Sequence, residues 1–427
     1  MQRRRTLGAL GLATAIALVM AVVFSPAASA VSPDPNPWLQ KRFLVMAHQG
    51  GEDEAPSNTM FALKSAIQDR GADSLELDVN LSSDGQLMVI HDDTWTRIAC
   101  TDTLCPGPSD QVHRPESEVN KMTAEDLQQL DAGYWFRPGT YSHDYSDGVT
   151  YPYRGIRTGD VPPPDGYSAD DFAIPTLQQV LDTFPTIPIN VEIKMIKTLN
   201  NDTTTGSGCT GSPPNRYCDD PDASIPVADA LADLLNNEPQ SIRDNVIVVS
   251  FSDELLAEFH EMDDTPNVAL AGATDGTTNF ALHGTIPDPD VAAFQVPPEQ
   301  LGFDVPKLLL ETQHAHELGY AVHVWTNGDQ DETEASYEHL YNLGVDGIMS
   351  SDPSRLSNWL CANHVPRPDG SPRGPGCAAP VPGGSPPTPT PKKKKQKCKK
   401  AKKKKHKRAA ESKKKSKKKC KKKKKKH

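Results

Sequence analysis

Apolar and polar residues alternate most cleanly from Leu75 to Asp92, LELDVNLSSDGQLMVIHD. In an extended strand successive side chains leave opposite faces, so Glu76 and Asp78 leave the same one. Asp84-Gly85 then gives a strong hairpin signal, and the apolar run Leu87–Ile90 follows it to His91-Asp92. With Asp84 and Gly85 as the two loop residues, Ser83 faces Gln86 and His91 stands opposite Asp78. Directly opposed residues have Cβ atoms about 4.5–5.5 Å apart. The pattern predicts two acids and an imidazole within one side chain's reach of each other.

Further apolar, β-rich segments recur at Phe43–Ala47, Ile187–Ile193, Val246–Phe251, Val268–Ala271, Ala321–Trp325 and Gly347–Met349. Helical periodicity falls between many of them, at Thr59–Arg70, Leu177–Thr183, Pro226–Asn237, Ser252–Met262 and Lys307–Leu318. Strand followed by helix, repeated, means a mostly parallel sheet covered by helices. Residues 36–361 are long for an ordinary domain but suit one TIM (β/α)8 barrel with insertions. Barrel sites form at the C-terminal ends of strands, and polar residues gather there: His48, His91, Glu192 with Lys194, and Trp325-Thr326-Asn327. Residues 94–173 and 197–223 exceed ordinary connections and are expected as loops overhanging that mouth. Tyr134, Trp135 and Phe136 are candidates for its wall, with plain packing as the alternative.

Composition places the chain in a compartment. Arg3-Arg4-Arg5, an apolar run to about Phe24 and Ala28-Ser29-Ala30 have the layout of a secretory signal over residues 1–30, with a mature start at Val31. The arginine cluster also fits a twin-arginine signal loosely. No later stretch approaches the roughly 18 apolar residues of a transmembrane helix, so a soluble, exported chain is expected. The cysteines fall as near neighbours, which favours local disulfides: Cys100 with Cys105, Cys209 with Cys218, Cys361 with Cys377, and the remaining Cys398 and Cys420. A zinc site lacks the Cys-x-x-Cys spacing. The net charge of −10 averages two unlike parts, because 25 of the 46 Lys and Arg lie between Pro391 and His427. Residues 392–427 are expected as a disordered polylysine tail and 362–391 as a Pro/Gly-rich linker. The tail would dock on an anionic cell-wall polymer or membrane surface, with no specific nucleic acid implied, or else on the acidic body itself.

Taken together, the residues resemble the glycerophosphodiester phosphodiesterases, a barrel-shaped branch of the phospholipase-C-like phosphodiesterases, in a secreted form. The resemblance runs through Ala47-His48-Gln49-Gly50, Ala55-Pro56-Ser57-Asn58-Thr59, Glu76-Leu77-Asp78, His91-Asp92 with Arg97, Asn190-Val191-Glu192-Ile193-Lys194, Ser250-Phe251 and Val324-Trp325-Thr326-Asn327. It implies a glycerophosphodiester substrate, cleaved to glycerol 3-phosphate and an alcohol. By the same resemblance Glu76, Asp78 and Glu192 would hold a divalent cation, Ca2+ or Mg2+, in keeping with the hardness of carboxylate oxygens. His48 and His91 match the catalytic histidines, with Lys194 adding charge where the transition state becomes negative. Gln49, Trp325 and Asn327 are the substrate-binding candidates.

Two positions depart from the family pattern. Gln49 stands where arginine is usual and Ser57 where glutamate is usual, so one cation and one anion are missing together. A paired exchange that leaves the charge of the site unchanged accounts for both. The departures keep two alternatives open: a phospholipase-D-like or sphingomyelinase-like hydrolase of intact lipid, and a surface-binding protein acting through its Lys-rich tail.

Overall fold

The computed structural model describes residues 36–101, 104, 115–140, 143–146, 148–262, 268–287, 291–298, 305–326 and 332–377. Residues 1–30, expected as a secretory signal, the Lys-rich tail with Cys398 and Cys420, Cys105 of the first expected cysteine pair, and Asn327 lie outside the described residues.

Twelve strands form in the described chain: β1 (Leu44–Ala47), β2 (Ser74–Leu81), β3 (Leu87–Val89), β4 (Ile189–Ile193), β5 (Ile196–Leu199), β6 (Thr210–Ser212), β7 (Asn215–Asp220), β8 (Val246–Val249), β9 (Ala269–Gly272), β10 (Ala293–Val296), β11 (Ala321–Trp325) and β12 (Gly347–Ser350). Eight of them close a parallel barrel in the order β1, β12, β11, β10, β9, β8, β4, β2, with β2 returning to β1. This is the expected TIM barrel. Its alternation is visible in β2, where Leu75, Leu77 and Val79 join the core beneath the helices while Glu76 and Asp78 are left for the barrel interior. The lower interior is filled by Trp38, Leu44, Met46, Ile247, Ala271, Ala293, Ala321 and Met349. Trp38, fully buried on a short helix before β1, is its largest side chain.

Two expectations about the strands need correcting. Leu87–Ile90 was expected among the barrel strands, but β3 pairs antiparallel with the end of β2 and stays outside the closed ring. The missing barrel strand is β10, whose four residues AFQV were too short to stand out. The hairpin register also differs by one residue. Val79 faces Val89 and Ser82 N donates to Gln86 O, so Ser83, Asp84 and Gly85 form a three-residue loop. Gly85 takes φ +79° there, and Ser82 Oγ bridges Asp84 Oδ1 (2.6 Å) and Gln86 N (2.9 Å). The residue opposite Asp78 is therefore Ile90, not His91.

The described residues of 94–173 build two further clusters, one on Trp95, Val119, Leu127 and Leu130, the other where Ile156 and Phe172 pack against Phe61 of the helix Met60–Gln68. Residues 197–223 were expected as a loop, yet β5, β7 and β6 form an antiparallel sheet closed by the Cys209–Cys218 disulfide. Its pattern was hidden because Cys218 alone is buried among the residues of these three strands. At the other end of the barrel, residues 362–377, expected to open the linker, pack against it instead. Cys361–Cys377 ties this segment to the last helix, and Arg373 reaches under β1 to donate to Phe43 O at 2.8 Å.

Candidate active site

Parallel pairing of β2 with β4 sets Asp78 beside Glu192 and Glu76 beside Asn190, one step deeper in the barrel. One carboxylate oxygen from each of Glu76, Asp78 and Glu192 lies within 4.8 Å of the others. Asp78 is fully buried; its Oδ2 accepts from Asn58 Nδ2 at 2.8 Å, while Oδ1 has no hydrogen-bond partner among the described residues. Glu76 Oε2 accepts from the backbone N–H of Gln49 at 2.8 Å. Burial, reinforced by Asp78 and Glu192 against the pull of His48, pushes the Glu76 carboxyl up to about 8. Burial would also raise Asp78, but Lys194, His48 and the hydrogen bond from Asn58 hold it below its ordinary value. The donor set fits a hard divalent cation, which favours carboxylate oxygens and would relieve this repulsion.

Lys194 sets an ammonium against the acidic cluster. Its Nζ donates to Glu192 Oε1 at 2.7 Å, lies 3.6 Å from Asp78 Oδ1, and touches His91 Nε2 at 3.2 Å. Burial alone would lower the ammonium's pKa, but Glu192 and Asp78 outweigh it and hold the group above its usual value.

His48 follows β1 and faces acids on both ring nitrogens. Nδ1 lies 2.5 Å from Glu52 Oε1 and Nε2 lies 3.8 Å from Glu76 Oε2. Burial would depress its pKa, yet the carboxylates of Glu52, Glu76 and Asp78 more than offset this and hold it up to about 10. Glu52 escaped the sequence reading. The signal available was a carboxylate four residues after the histidine, across the Gly50-Gly51 turn at φ +81° and +88°, where a Cβ on Gly50 would come within 2.7 Å of Ala62.

His91 reaches the site although the hairpin register differs from expectation, because the chain leaves β3 at Val89 and turns. Asn80 holds the turn: its Nδ2 lies 3.0, 3.4 and 3.2 Å from the carbonyl oxygens of Ile90, His91 and Asp92. His91 Nδ1 pairs with Asp92 Oδ1 at 2.6 Å, and Asp92 Oδ2 lies 2.9 Å from Arg97 Nε. Burial would raise Asp92, but Arg97 and His91 hold it well below the usual carboxylate range.

These groups open on a cavity of ≈ 400 Å³ at the mouth of the barrel, lined by His48, Glu52, Glu76, His91, Glu192 and Lys194 on one side and by Phe251, Gln295, Trp325 and Thr326 on another. A second cavity of ≈ 950 Å³ adjoins it and shares His91, Glu192, Lys194 and Phe251. The insertions contribute His143, Tyr145, Ser207, Thr210 and Asp219 to its walls, as their position above the mouth predicted. Trp325 lines the inner cavity and meets Phe251 edge-on at 6.1 Å.

Gln49 does not line either cavity. It is buried at φ +50°, its Oε1 without a hydrogen-bond partner among the described residues, and it meets the site through its backbone N–H, which donates to Glu76. Ser57 is buried on the same turn, where Asn58 N donates to Gln49 O at 2.8 Å. Tyr134, Trp135 and Phe136 line neither cavity; Phe136 stacks on Tyr153, and Arg154 lies over the rings of Tyr134 and Tyr151.

The model of the Glycerophosphoryl diester phosphodiesterase family matches residues 48–355. A glycerophosphodiester phosphodiesterase of Caldanaerobacter subterraneus subsp. tengcongensis is 40% identical over 93 residues, 22% of this chain and 32% of that protein. The chain thus matches about a third of that relative's length. A glycerophosphodiester phosphodiesterase of Bacillus altitudinis is 26% identical over 319 residues, 73% of this chain and 95% of that protein. A solved structure of an Oleispira antarctica phosphodiesterase in complex with the product sn-glycerol-3-phosphate is 21% identical, covers 75% of this chain and 97% of that one, and has a TM-score of 0.48.

Proposed function

This chain belongs to the glycerophosphoryl diester phosphodiesterase family, and we propose that it hydrolyses glycerophosphodiesters to glycerol 3-phosphate and an alcohol, with Glu76, Asp78 and Glu192 holding Ca2+ or Mg2+. The observation that carries this reading is the pair of imidazoles on one cavity with opposite partners. His48 has a carboxylate at each nitrogen, an arrangement that favours the imidazolium with both N–H groups pointing at acids. His91 has a carboxylate at one nitrogen and an ammonium at the other, which only the neutral ring accommodates.

Phosphodiester cleavage needs one group to take a proton from the nucleophile and one to give a proton to the leaving alkoxide. His91 Nε2 carries the ring's lone pair, which in the resting site meets Lys194 Nζ at 3.2 Å, and takes the proton of the attacking hydroxyl, either of water or of the substrate's own glycerol, in which case a water then opens the cyclic phosphate to glycerol 3-phosphate. His48 donates to the departing oxygen, with Glu52 fixing its ring through Nδ1. Lys194 lies against the carboxylates that face the phosphate and adds positive charge there. The cation, when bound, neutralises non-bridging phosphate oxygens and lowers the pKa of the nucleophile. Trp325 and Phe251 wall the inner cavity, and the outer cavity gives room for the alcohol.

The leader supports export, and the Lys-rich tail supports an anionic cell-wall polymer or membrane surface as partner. The test is glycerol 3-phosphate release by the full mature chain from a panel of glycerophosphodiesters, before and after chelation and with Mg2+ or Ca2+ returned. Metal-dependent release that disappears in His48→Ala and in Glu76→Ala is expected. Turnover of intact lipid vesicles with none of deacylated head groups would replace the reading, as would surface binding without any turnover.

A further inference from the structure

We propose that Asp92 and Arg97 are positioning residues that decide which nitrogen of His91 carries the proton, and that the turn Trp95–Arg97 and Tyr145 of the first insertion serve catalysis by holding them in place. The proposal rests on the reading of His91 Nε2 as the proton acceptor. Asp92 Oδ1 is 2.6 Å from His91 Nδ1, and an ionised carboxylate only accepts, so the proton sits on Nδ1. Lys194 Nζ, which only donates, touches Nε2 at 3.2 Å and requires a lone pair there. Both neighbours therefore select one tautomer, with the Nε2 lone pair on the cavity side, where it accepts a substrate proton once Lys194 lets go of it.

Asp92 is itself held. Arg97 Nε lies 2.9 Å from Asp92 Oδ2, and Tyr145 donates its hydroxyl to Arg97 O at 3.0 Å. Arg97 belongs to a short helical turn, Trp95–Arg97, whose Trp95 and Thr96 are buried in the insertion. Tyr145 comes from the same insertion, 48 residues further along, and packs edge-on against Trp135 at 5.1 Å. A long excursion of the chain thus ends in one carboxylate whose two oxygens face the imidazole and the guanidinium.

The geometry makes an unusual forecast for Asp92→Asn, which keeps the shape of the side chain. A guanidinium tolerates an oxygen beside it and repels an amide N–H, so Arg97 turns the Asn oxygen toward itself and the amide toward His91. An amide N–H facing Nδ1 forces the proton to Nε2 and closes the acceptor. kcat should fall by about 10²-fold or more, with KM and the metal concentration for half-maximal activity nearly unchanged. Removing the guanidinium as well lets the amide turn round. Asp92→Asn with Arg97→Ala should therefore be more active than Asp92→Asn alone, although Arg97→Ala by itself lowers kcat. An ordinary surface ion pair gives no such reversal, only losses that add or saturate. Tyr145→Phe should lower kcat by less than Asp92→Asn does; no change would remove the insertion from the account.

The decisive readout is the imidazole nitrogen spectrum of His91 in the full chain labelled with 15N-histidine, assigned by comparison with His91→Gln. It should report Nδ1–H in the wild type and Nε2–H in Asp92→Asn. Nε2–H in the wild type, or a double variant no better than Asp92→Asn, overturns the proposal. The wild-type spectrum decides even where a variant fails to fold. A wild type with the expected tautomer that cleaves no glycerophosphodiester would refute the proposed function and leave the positioning role standing.

Discussion

At the closed end of the barrel Asp73 accepts from Arg367 at 2.6 Å, from Arg373 at 2.7 Å and from the backbone N–H of Val45 at 3.0 Å. Asp346, buried nearby, takes Val322 N at 2.8 Å and His316 Nε2 at 2.7 Å, with Arg42 Nε 2.6 Å from its other oxygen. At the mouth, Glu76, Asp78 and Glu192 bring oxygens within 4.8 Å of one another, Asp78 and Glu192 share the Lys194 ammonium, and Glu76 has an imidazole 3.8 Å away. The same residue type is thus surrounded by donors at one end and crowded by its own kind at the other. Buried charge that is matched holds the fold together, whereas buried charge left in excess is kept for something that is not part of the chain.

Neutralising an acid at each end breaks the comparison most sharply. Glu76→Gln should lower kcat/KM by roughly 10²–10³-fold or more, while the thermal midpoint measured with chelator present does not fall, because a repelled carboxylate has been removed. At the closed end, Arg373→Ala leaves Asp73 short of a partner and should cost about 3–5 kcal/mol in denaturant unfolding. Its kcat should stay near that of the wild type.

A smaller effect comes from the exception at the closed end. His323 is fully buried beside Trp38, both ring nitrogens lack a partner among the described residues, and burial drives its pKa down to about 4 against the pull of Asp346. Its folded pKa lies below the unfolded value of about 6.5. Between these values the unfolded chain binds the extra proton, so stability is lost as pH falls from about 6.5 toward 4, at up to roughly 1.4 kcal/mol per pH unit. His323→Leu should flatten that part of the stability curve; an unchanged slope would assign it to other groups.

The subtlest test concerns the turn that carries Gln49 and Ser57. Gln49→Arg with Ser57→Glu should be tolerated better than either change alone, with a coupling of about 0.5–3 kcal/mol in stability or kcat/KM. Additive losses would mean the two departures are unrelated.

The alternation of β2 and the polar ends of β1 and β4 exposed the barrel and most of its site, because period-two patterning survives wherever one face of a strand is buried. Three things stayed hidden for separate reasons. The hairpin register depended on Ser82 binding across the loop, which no dipeptide rule contains. Glu52 and Asn80 act through single side-chain contacts to a ring and to three carbonyls, and nothing in their spacing distinguishes them from solvated polar residues. The β5, β7, β6 sheet owes its order to the pairing of half-buried strands, the Cys209–Cys218 bond and the Lys197–Asp219 ion pair, none of which leaves an apolar period.

The excess of carboxylate at the mouth is the central claim, and a metal titration of the chelated full chain tests it most directly. Glycerol 3-phosphate release and the thermal midpoint, followed on the same sample, should rise together with added Mg2+ or Ca2+, saturate at the same concentration, and both fail to respond in Glu76→Gln. Full turnover in the presence of chelator, or a midpoint indifferent to metal in a wild type that turns over, would contradict it.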